Sequence, residues 1–248
     1  MARRTAGVVC QPAVEQQLFG IVTYLVPMLL SLTVHEYCHA RVAYWLGDDT
    51  ASSQGRLTLN PLAHADPIGT FLMPIVAQLA GGLPLIGWAR PVPVSPHRFT
   101  RNVSMHTGMA LTAVAGPLSN LILMFLSVVG LRILAESTDL QFYELLGLDA
   151  EHKQPVHVAA HLLLIMSFMN AGLCIFNLIP FPPLDGSRLL PPSLQRLVAP
   201  LQSFSYLLLM GIIWFAGGII RIPVAYLLIG AFGIVGLPNE WLWGMVHG

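Results

Sequence analysis

Two histidines with a glutamate between them, in the sequence His35-Glu36-Tyr37-Cys38-His39, lie inside a long apolar run that starts near Leu18. On a helix, residues four apart fall within about 40° of each other, so both imidazoles face the same side and Glu36 stands beside them. Two such imidazoles can bind one metal ion, and a neighbouring carboxylate can take a proton from water. The pattern therefore predicts the start of a hydrolytic zinc site, with His35 and His39 as ligands and Glu36 as the general base.

A third ligand is needed, because catalytic zinc usually has three protein ligands and one open position. Asp185 is the candidate, since it follows the end of an apolar helix between Pro183 and Gly186, where the backbone cannot be regular helix. A competing interpretation is that Asp185 only caps its own turn or pairs with Arg188.

The residues that precede Asp185 are suited to substrate binding. Pro180 and Pro182 remove amide donors and keep the chain extended, which leaves carbonyl groups that an extended peptide could use. Asn177 can donate its amide to a developing oxyanion or can make a hydrogen bond at the helix end, and the sequence does not decide between these roles. We expect the substrate to lie against these prolines or against a strand near residues 56–60.

A second polar loop, Asn60-Pro61-Leu62-Ala63-His64-Ala65-Asp66-Pro67, follows the first helix. Asn60, His64 and Asp66 could approach the metal and orient one of its ligands from behind, or contact substrate. They could equally serve the turns that the two prolines impose.

Together these motifs resemble the site-2 protease family of intramembrane zinc metalloproteases: His35-Glu36-x-x-His39 with Asn177-x-x-Pro180-x-Pro182-Pro183-x-Asp185-Gly186. The polar loop, the segment Gly87-Trp88-Ala89-Arg90-Pro91-Val92-Pro93 and Gly116-Pro117-Leu118-Ser119-Asn120 resemble the compact prokaryotic branch without PDZ or CBS modules. The resemblance covers roughly residues 18–200. It implies cleavage of substrate transmembrane segments within the bilayer, one zinc ion held by His35, His39 and Asp185, and water activated by Glu36.

The composition is that of a membrane protein, with 55% hydrophobic and 10% charged residues, against about 25% charged in an ordinary soluble domain. Lys153 is the single lysine among 12 basic residues, so no basic surface suits nucleic acid. We expect lipids and transmembrane protein substrates as partners; the sequence does not set the oligomeric state.

The hydrophobic pattern predicts an all-α polytopic membrane protein with about five or six transmembrane segments. A short β-strand or hairpin at Arg56–Leu59 and an extended loop at 89–100 are predicted near the site. The apolar segments are 18–46, 67–88, 105–134, 156–179, 201–217 and 222–235, the last two forming a helical hairpin. The predicted domains are an N-terminal tail (1–17), an intramembrane metalloprotease domain (18–237) and a C-terminal tail (238–248).

The ligands constrain how the chain crosses the membrane. His39 and Asp185 both lie toward the C-terminal ends of their helices, so these helices must run parallel, with an even number of crossings between the ligand sites. The segments 105–134 and 156–179 already supply two crossings. The glycine- and proline-rich segment 67–88 should therefore enter and return on one side.

The basic residues favour one orientation over the other. Seven arginines fall at the ligand end and five basic residues at the opposite end. The positive-inside rule then places the site nearer the cytoplasmic face of a prokaryotic plasma membrane, with the N-terminus outside.

Polar and small residues within the helices have structural interpretations at this stage. Gly116 and Asn120 indicate close helix packing more than substrate contact. His157 and His161 fit an interfacial position facing the acidic connector that precedes them, better than a second metal site.

Two other functions remain open. A catalytically idle scaffold of the same fold would keep the metal without proteolysis, although an intact Glu36 argues against it. A metal-ion transporter would need polar residues along several helices, whereas here they concentrate around one site.

Overall fold

The computed structural model describes residues 11–79, 87–100, 102–138, 140–146 and 154–247, and over these residues the regular structure is helical. The α-helices are α1 (Gln11–Trp45), α2 (Thr50–Ser53), α3 (Pro61–His64), α4 (Met73–Leu79), α5 (Met105–Glu136), α6 (Phe142–Leu146), α7 (Pro155–Asn177), α8 (Pro192–Val198), α9 (Ser205–Ile234) and α10 (Gly244–His247). A π-helix spans Pro67–Leu72, and 3₁₀ helices span Pro96–Arg98, Asp185–Leu189, Ala199–Phe204 and Glu240–Trp243.

Three helices in the described part are long and apolar enough to cross a membrane: Gly20–Trp45 of α1, the whole of α5 and the whole of α7. Shorter apolar helical stretches occur at Pro67–Val76 and Ile220–Ile234. The chain is therefore a helical membrane protein. The starts of α5 and α7 follow from sequence, because the Ser104 hydroxyl caps Thr107 N–H and Pro155 occupies a first-turn position that needs no amide donor.

Side-chain contacts fix the directions of the three long helices. Ser31 of α1 contacts Asn170 of α7, and His35, one turn later in α1, meets Asp185, which follows the C-terminal end of α7. Residue numbers increase in the same direction in both contacts, so α1 and α7 run parallel, as the ligand positions predict. On α5 the order is reversed, because His35 contacts Asn120 while His39 contacts Thr112. Helix α5 is thus antiparallel to α1 and α7.

The largest apolar core lies at the end of the bundle away from the ligands. Leu131 of α5, Ala160 of α7 and Leu228 of α9 are fully buried there. Leu242, in the stretch that the sequence analysis assigns to a C-terminal tail, is fully buried in the same core. Helices at the chain end therefore pack onto the bundle.

The segment 67–88 has its two ends side by side. The Trp88 N–H donates to the Gly69 carbonyl at 3.2 Å, and the Thr70 hydroxyl donates to the Trp88 carbonyl at 2.8 Å. Just outside the segment, the Arg90 N–H donates to the His64 carbonyl. The segment therefore returns to the place where it began, which is the arrangement that ligand geometry predicts for it; residues 80–86 lie outside the described part.

The strand predicted at Arg56–Leu59 is wrong, since residues 57 and 58 form a bend and no strand occurs among the described residues. Local side-chain bonds replace strand pairing here. The Thr58 carbonyl bonds with Nε2 of His64, and the Thr58 hydroxyl accepts from Asn60 N–H. Four alternating residues do not make a strand without a partner strand.

The predicted helical hairpin at 201–235 is also wrong, because α9 continues from Ser205 to Ile234 with Pro223 inside it. A proline removes one helical hydrogen bond, but ending the helix in an apolar environment would expose several backbone groups without partners. The continuous helix is therefore favoured over a break at Gly217–Gly218.

Single cysteines should place both ends of the 67–88 segment on the same side of the membrane. In a background without native cysteines, Leu59→Cys and His97→Cys, both at exposed positions, are expected to react with a membrane-impermeant thiol reagent added from one side. Ser137→Cys, beyond the far end of α5, should react from the opposite side. Labelling of positions 59 and 97 from different sides would contradict this arrangement.

Candidate metal centre

Helix α1 presents His35 and His39 on the same face, one turn apart. Their ring centroids are 4.5 Å apart with nearly perpendicular planes, and their Nε2 atoms are separated by 3.0 Å. Both residues are buried within a predominantly apolar helix. The spacing seen in the sequence thus brings the two imidazole nitrogens to one point.

Asp185 completes a group of three donor atoms. Its Oδ2 lies 3.1 Å from Nε2 of His35 and 3.1 Å from Nε2 of His39. The three side chains are 6%, 8% and 16% exposed. The three ligands predicted from sequence therefore lie together, although Asp185 is about 150 residues from the histidines in the chain.

The turn that carries Asp185 is packed tightly against the end of α7. A Cβ atom at Gly186 would lie 2.5 Å from the Ile179 carbonyl oxygen, so only glycine fits there. The Leu184 N–H donates to the Phe181 carbonyl, and the Ser187 N–H and hydroxyl both donate to the Leu184 carbonyl. These bonds hold the carboxylate in a fixed position beyond the helix end.

Hydrogen bonds on the far side of each ring set the tautomers. Nδ1 of His39 lies 2.6 Å from the Thr112 carbonyl, which can only accept, so Nδ1 carries the proton. For His35 the assignment starts at the Met166 carbonyl, which accepts from Nδ2 of Asn170. Oδ1 of Asn170 then accepts from Nδ2 of Asn120 at 2.8 Å, which leaves Oδ1 of Asn120 to accept from Nδ1 of His35 at 2.6 Å.

The donor set fits a metal cation. With both Nδ1 atoms protonated, neutral imidazoles direct Nε2 lone pairs at each other and at the Asp185 carboxylate, an arrangement that repels unless a cation lies among them. Donor separations of 3.0–3.1 Å are near the roughly 3.3 Å edge of a tetrahedron with zinc bonds of about 2.0 Å.

Gly116 of α5 makes room for this group. A methyl group at position 116 would overlap the His39 ring and lie 2.6 Å from Cε1 of His35. The close approach of α5 to α1 therefore requires glycine at this position. The sequence analysis attributes Gly116 to helix packing in general, and the structure shows that it packs on the two imidazoles.

Glu36 is held beside the ligands by the extended segment that follows residue 86. Its Oε2 accepts from the Val92 N–H at 2.8 Å, and the residue is 9% exposed. The same segment is fastened on its other side by Arg56, whose guanidinium donates to the Arg90 carbonyl at 2.6 Å. One carboxylate oxygen of Glu36 is thus fixed, and no donor among the described residues engages the second, which can take part in proton transfer.

A cavity of about 200 Å³ opens onto the ligands and Glu36. The extended segment forms one wall through Trp88, Pro91 and Val92, and the turn before Asp185 forms another through Pro183 and Leu184. The site therefore has a base, three candidate metal ligands and room for a reacting group in one enclosure.

Other residues proposed from the sequence have different positions. Asn177 lines the cavity while its Nδ2 donates to the Leu173 carbonyl, and Pro180 and Pro182 lie in the turn but do not line the cavity. The polar loop makes its own bonds. Asn60 caps α3, His64 bonds with Thr58, and Asp66 accepts from the N–H groups of Ile68 and Gly69.

Four contributors were not identified from sequence as parts of the site: Asn120, Asn170, and the backbones of Thr112 and Val92. Asparagine inside an apolar helix is a usable signal, because a buried amide needs partners. Backbone groups carry no such signal, since every non-proline residue has the same N–H and C=O.

Proteins with similar sequences are named zinc metalloproteases, which is consistent with a zinc site. A Bacillus subtilis protein named "Putative zinc metalloprotease YwhC" is 36% identical over 196 residues, covering 77% of this chain and 80% of the relative. Two proteins named "Putative zinc metalloprotease Rip2" are each 29% identical to this chain. The one from Mycobacterium tuberculosis matches over 83% of this chain and 71% of the relative. The one from Mycolicibacterium smegmatis matches over 73% of this chain and 62% of the relative. No family model and no solved structure matches the chain.

Replacing Asn120 should weaken metal binding. Asn120→Ala removes the acceptor that orients the His35 ring, so zinc affinity is expected to fall about 10- to 100-fold. The measurement is competition with a chelator on protein in detergent. Ser127→Ala is the control, because this buried α5 hydroxyl donates to the Leu123 carbonyl; equal affinities for the two variants would exclude the role of Asn120.

Adding one methyl group at Gly116 should displace the histidines. Gly116→Ala is expected to reduce bound zinc well below one ion per chain, measured by elemental analysis of the purified protein. Gly172→Ala on α7 is the matched control, since a Cβ there meets nothing within 4 Å. Full zinc content in Gly116→Ala would show that the rings do not need this close approach.

Proposed function

The chain belongs to the site-2 protease family of intramembrane zinc metalloproteases, and from this premise we propose that it is an endopeptidase that cleaves transmembrane segments of membrane proteins, with one zinc ion per chain. The observation that carries the proposal is the buried group of His35, His39 and Asp185 with Glu36 in one cavity. Hydrolytic chemistry and an apolar setting occur together at this site.

The depth of the ligands supports cleavage within the membrane. Trp45 ends the apolar helix α1 and is exposed, as is common for tryptophan at a membrane interface. His39 and His35 precede it by six and ten residues, or about 9 and 15 Å along the helix axis. The reacting groups therefore lie below the interface in this proposal.

Zinc held by His35, His39 and Asp185 would supply Lewis-acid chemistry: it would make water acidic enough to lose a proton near neutral pH and would polarise a peptide carbonyl. Glu36 is placed to take a proton from water on one carboxylate oxygen, while the Val92 N–H holds the other. The protonated Glu36 then delivers the proton to the departing amine. Asn177, with one amide hydrogen used by Leu173, offers the second to the oxygen of the attacked carbonyl.

The walls of the cavity favour an extended substrate. One wall is itself extended chain, through Pro91 and Val92, and the other is a turn that contains Pro183. An extended peptide has free backbone groups to pair with such walls, whereas a helix has already used its own. We therefore expect a helical transmembrane segment to unwind locally before it reaches Glu36. The extended segment 87–94 and the turn at Pro183 are the walls between which it would lie.

The orientation in the membrane is part of the proposal. The sequence count of seven arginines at the ligand end against five basic residues at the opposite end supports it. In the described part, Arg41, Arg56 and Arg90 belong to the first set, and Arg132, near the far end of α5, belongs to the second. The positive-inside rule then places the active site nearer the cytoplasmic face of a prokaryotic plasma membrane. Lipids and single-span membrane proteins are the proposed partners.

Glu36→Gln should abolish proteolysis while retaining zinc, because it removes the base and leaves all three ligands. We expect cleavage of a model transmembrane substrate to fall by about 100-fold or more, measured by product formation in detergent or liposomes, with zinc content unchanged. Mass spectrometry of the wild-type products should place the cut inside the apolar segment.

Glu136→Gln is the matched control, since Glu136 pairs with Arg132 on the surface far from the site. It should cleave at the wild-type rate. Unchanged cleavage by Glu36→Gln would end the proposed mechanism, and cuts confined to loops outside the apolar segment would end the intramembrane specificity.

A further inference from the structure

Arg188 shares the active-site cavity with the metal ligands. It lies three residues after Asp185 in the 3₁₀ helix Asp185–Leu189, and residues three apart in such a helix fall on one face. Both residues line the cavity. Arg188 therefore forms part of the wall of the same cavity as the metal ligands.

The backbone that carries Arg188 is anchored from two other helices. Nε2 of Gln195 in α8 donates to the carbonyls of Arg188 and Leu190, at 3.0 and 2.9 Å. Nε2 of His106 in α5 lies 2.9 Å from the same Leu190 carbonyl. The side chain therefore begins from a fixed point at the cavity wall.

The guanidinium itself has no partner in the described part of the chain. The half-buried side chain makes neither a hydrogen bond nor an ion pair there, and Oδ2 of Asp185 faces the histidines. Five N–H donors in a planar fork match a carboxylate well. The guanidinium is therefore open to an acceptor from outside the chain.

The charges around the cavity indicate what that acceptor is. The acidic residues lining it are Glu36 and Asp185, whose two negative charges equal the charge of one zinc ion. Arg188 then leaves one positive charge in excess. A carboxylate would neutralise this charge, whereas a neutral peptide group would not.

We propose that Arg188 binds a substrate-derived carboxylate in the active-site cavity and is a specificity-determining residue. This inference rests on the proposed protease function for the identity of the ligand as a peptide. The carboxylate has two possible sources: an acidic side chain close to the scissile bond, or the new C-terminal carboxylate left when water adds to the carbonyl carbon, the C–N bond breaks and the amine takes a proton.

Peptide pairs that differ only in charge test the inference without any cleavage. Zinc-loaded Glu36→Gln protein in detergent is titrated with fluorescent single-span peptides carrying one central Glu or Gln, and with short peptides ending in a carboxylate or a carboxamide. At least one carboxylate peptide should bind about 10- to 100-fold more tightly than its neutral twin. The pair that shows the preference identifies the source.

Variants assign the preference to Arg188. Arg188→Gln, added to Glu36→Gln, should remove the preference, and Arg188→Lys should reduce it because the fork is lost while the charge remains. Arg196→Gln, an exposed arginine of α8 outside the cavity, should preserve it. Unchanged zinc content shows that each variant is folded.

Two results would overturn the inference: neutral twins that bind as tightly as both carboxylate peptides, or a preference that survives in Arg188→Gln. Equal binding of neutral and carboxylate peptides is measured without any Arg188 variant, so that result overturns the inference even if Arg188→Gln does not fold. Absence of proteolysis by the wild-type protein would instead count against the proposed function, and the binding preference would still be measurable.

Discussion

Three electron-pair donors directed at one buried point are the constraint around which the structure is organised. Two imidazole nitrogens and a carboxylate oxygen at mutual distances of 3.0–3.1 Å repel one another unless a cation lies among them. Apolar surroundings strengthen this electrostatic requirement. A metal ion bound by these three residues would therefore stabilise the site as well as take part in its chemistry.

Helix α5 contacts the two histidine rings through three positions on one face of the helix. Thr112 supplies a carbonyl, Gly116 supplies space, and Asn120 supplies an amide oxygen. These positions are four residues apart, as are the histidines. Because α5 is antiparallel to α1 and both helices rise about 1.5 Å per residue, the two sets of side chains stay level with each other.

The proposed general base, Glu36, is held against one wall of the cavity by a hydrogen bond from a backbone N–H group. Glu36 accepts from the Val92 N–H, and Arg56 binds the carbonyl of Arg90 in the same extended segment. Prolines on either side of Val92 limit the conformations of this segment. The position of the base and the shape of the cavity are therefore set by the same eight-residue stretch, Gly87 to Val94.

What the sequence alone determined was the chemistry and the polarity of the main helices. His35, Glu36 and His39 are near neighbours on a helix, so their geometry is local, and Asp185 is distinguished by the turn around it. Tertiary structure decided the rest. Residues 56–59 form a loop with side-chain hydrogen bonds in place of the expected strand, and α9 continues through Pro223 in place of the expected hairpin. The roles of Thr112, Asn170 and Val92 depend on backbone groups or amides meeting across helices, and such meetings are set by packing between segments far apart in the chain.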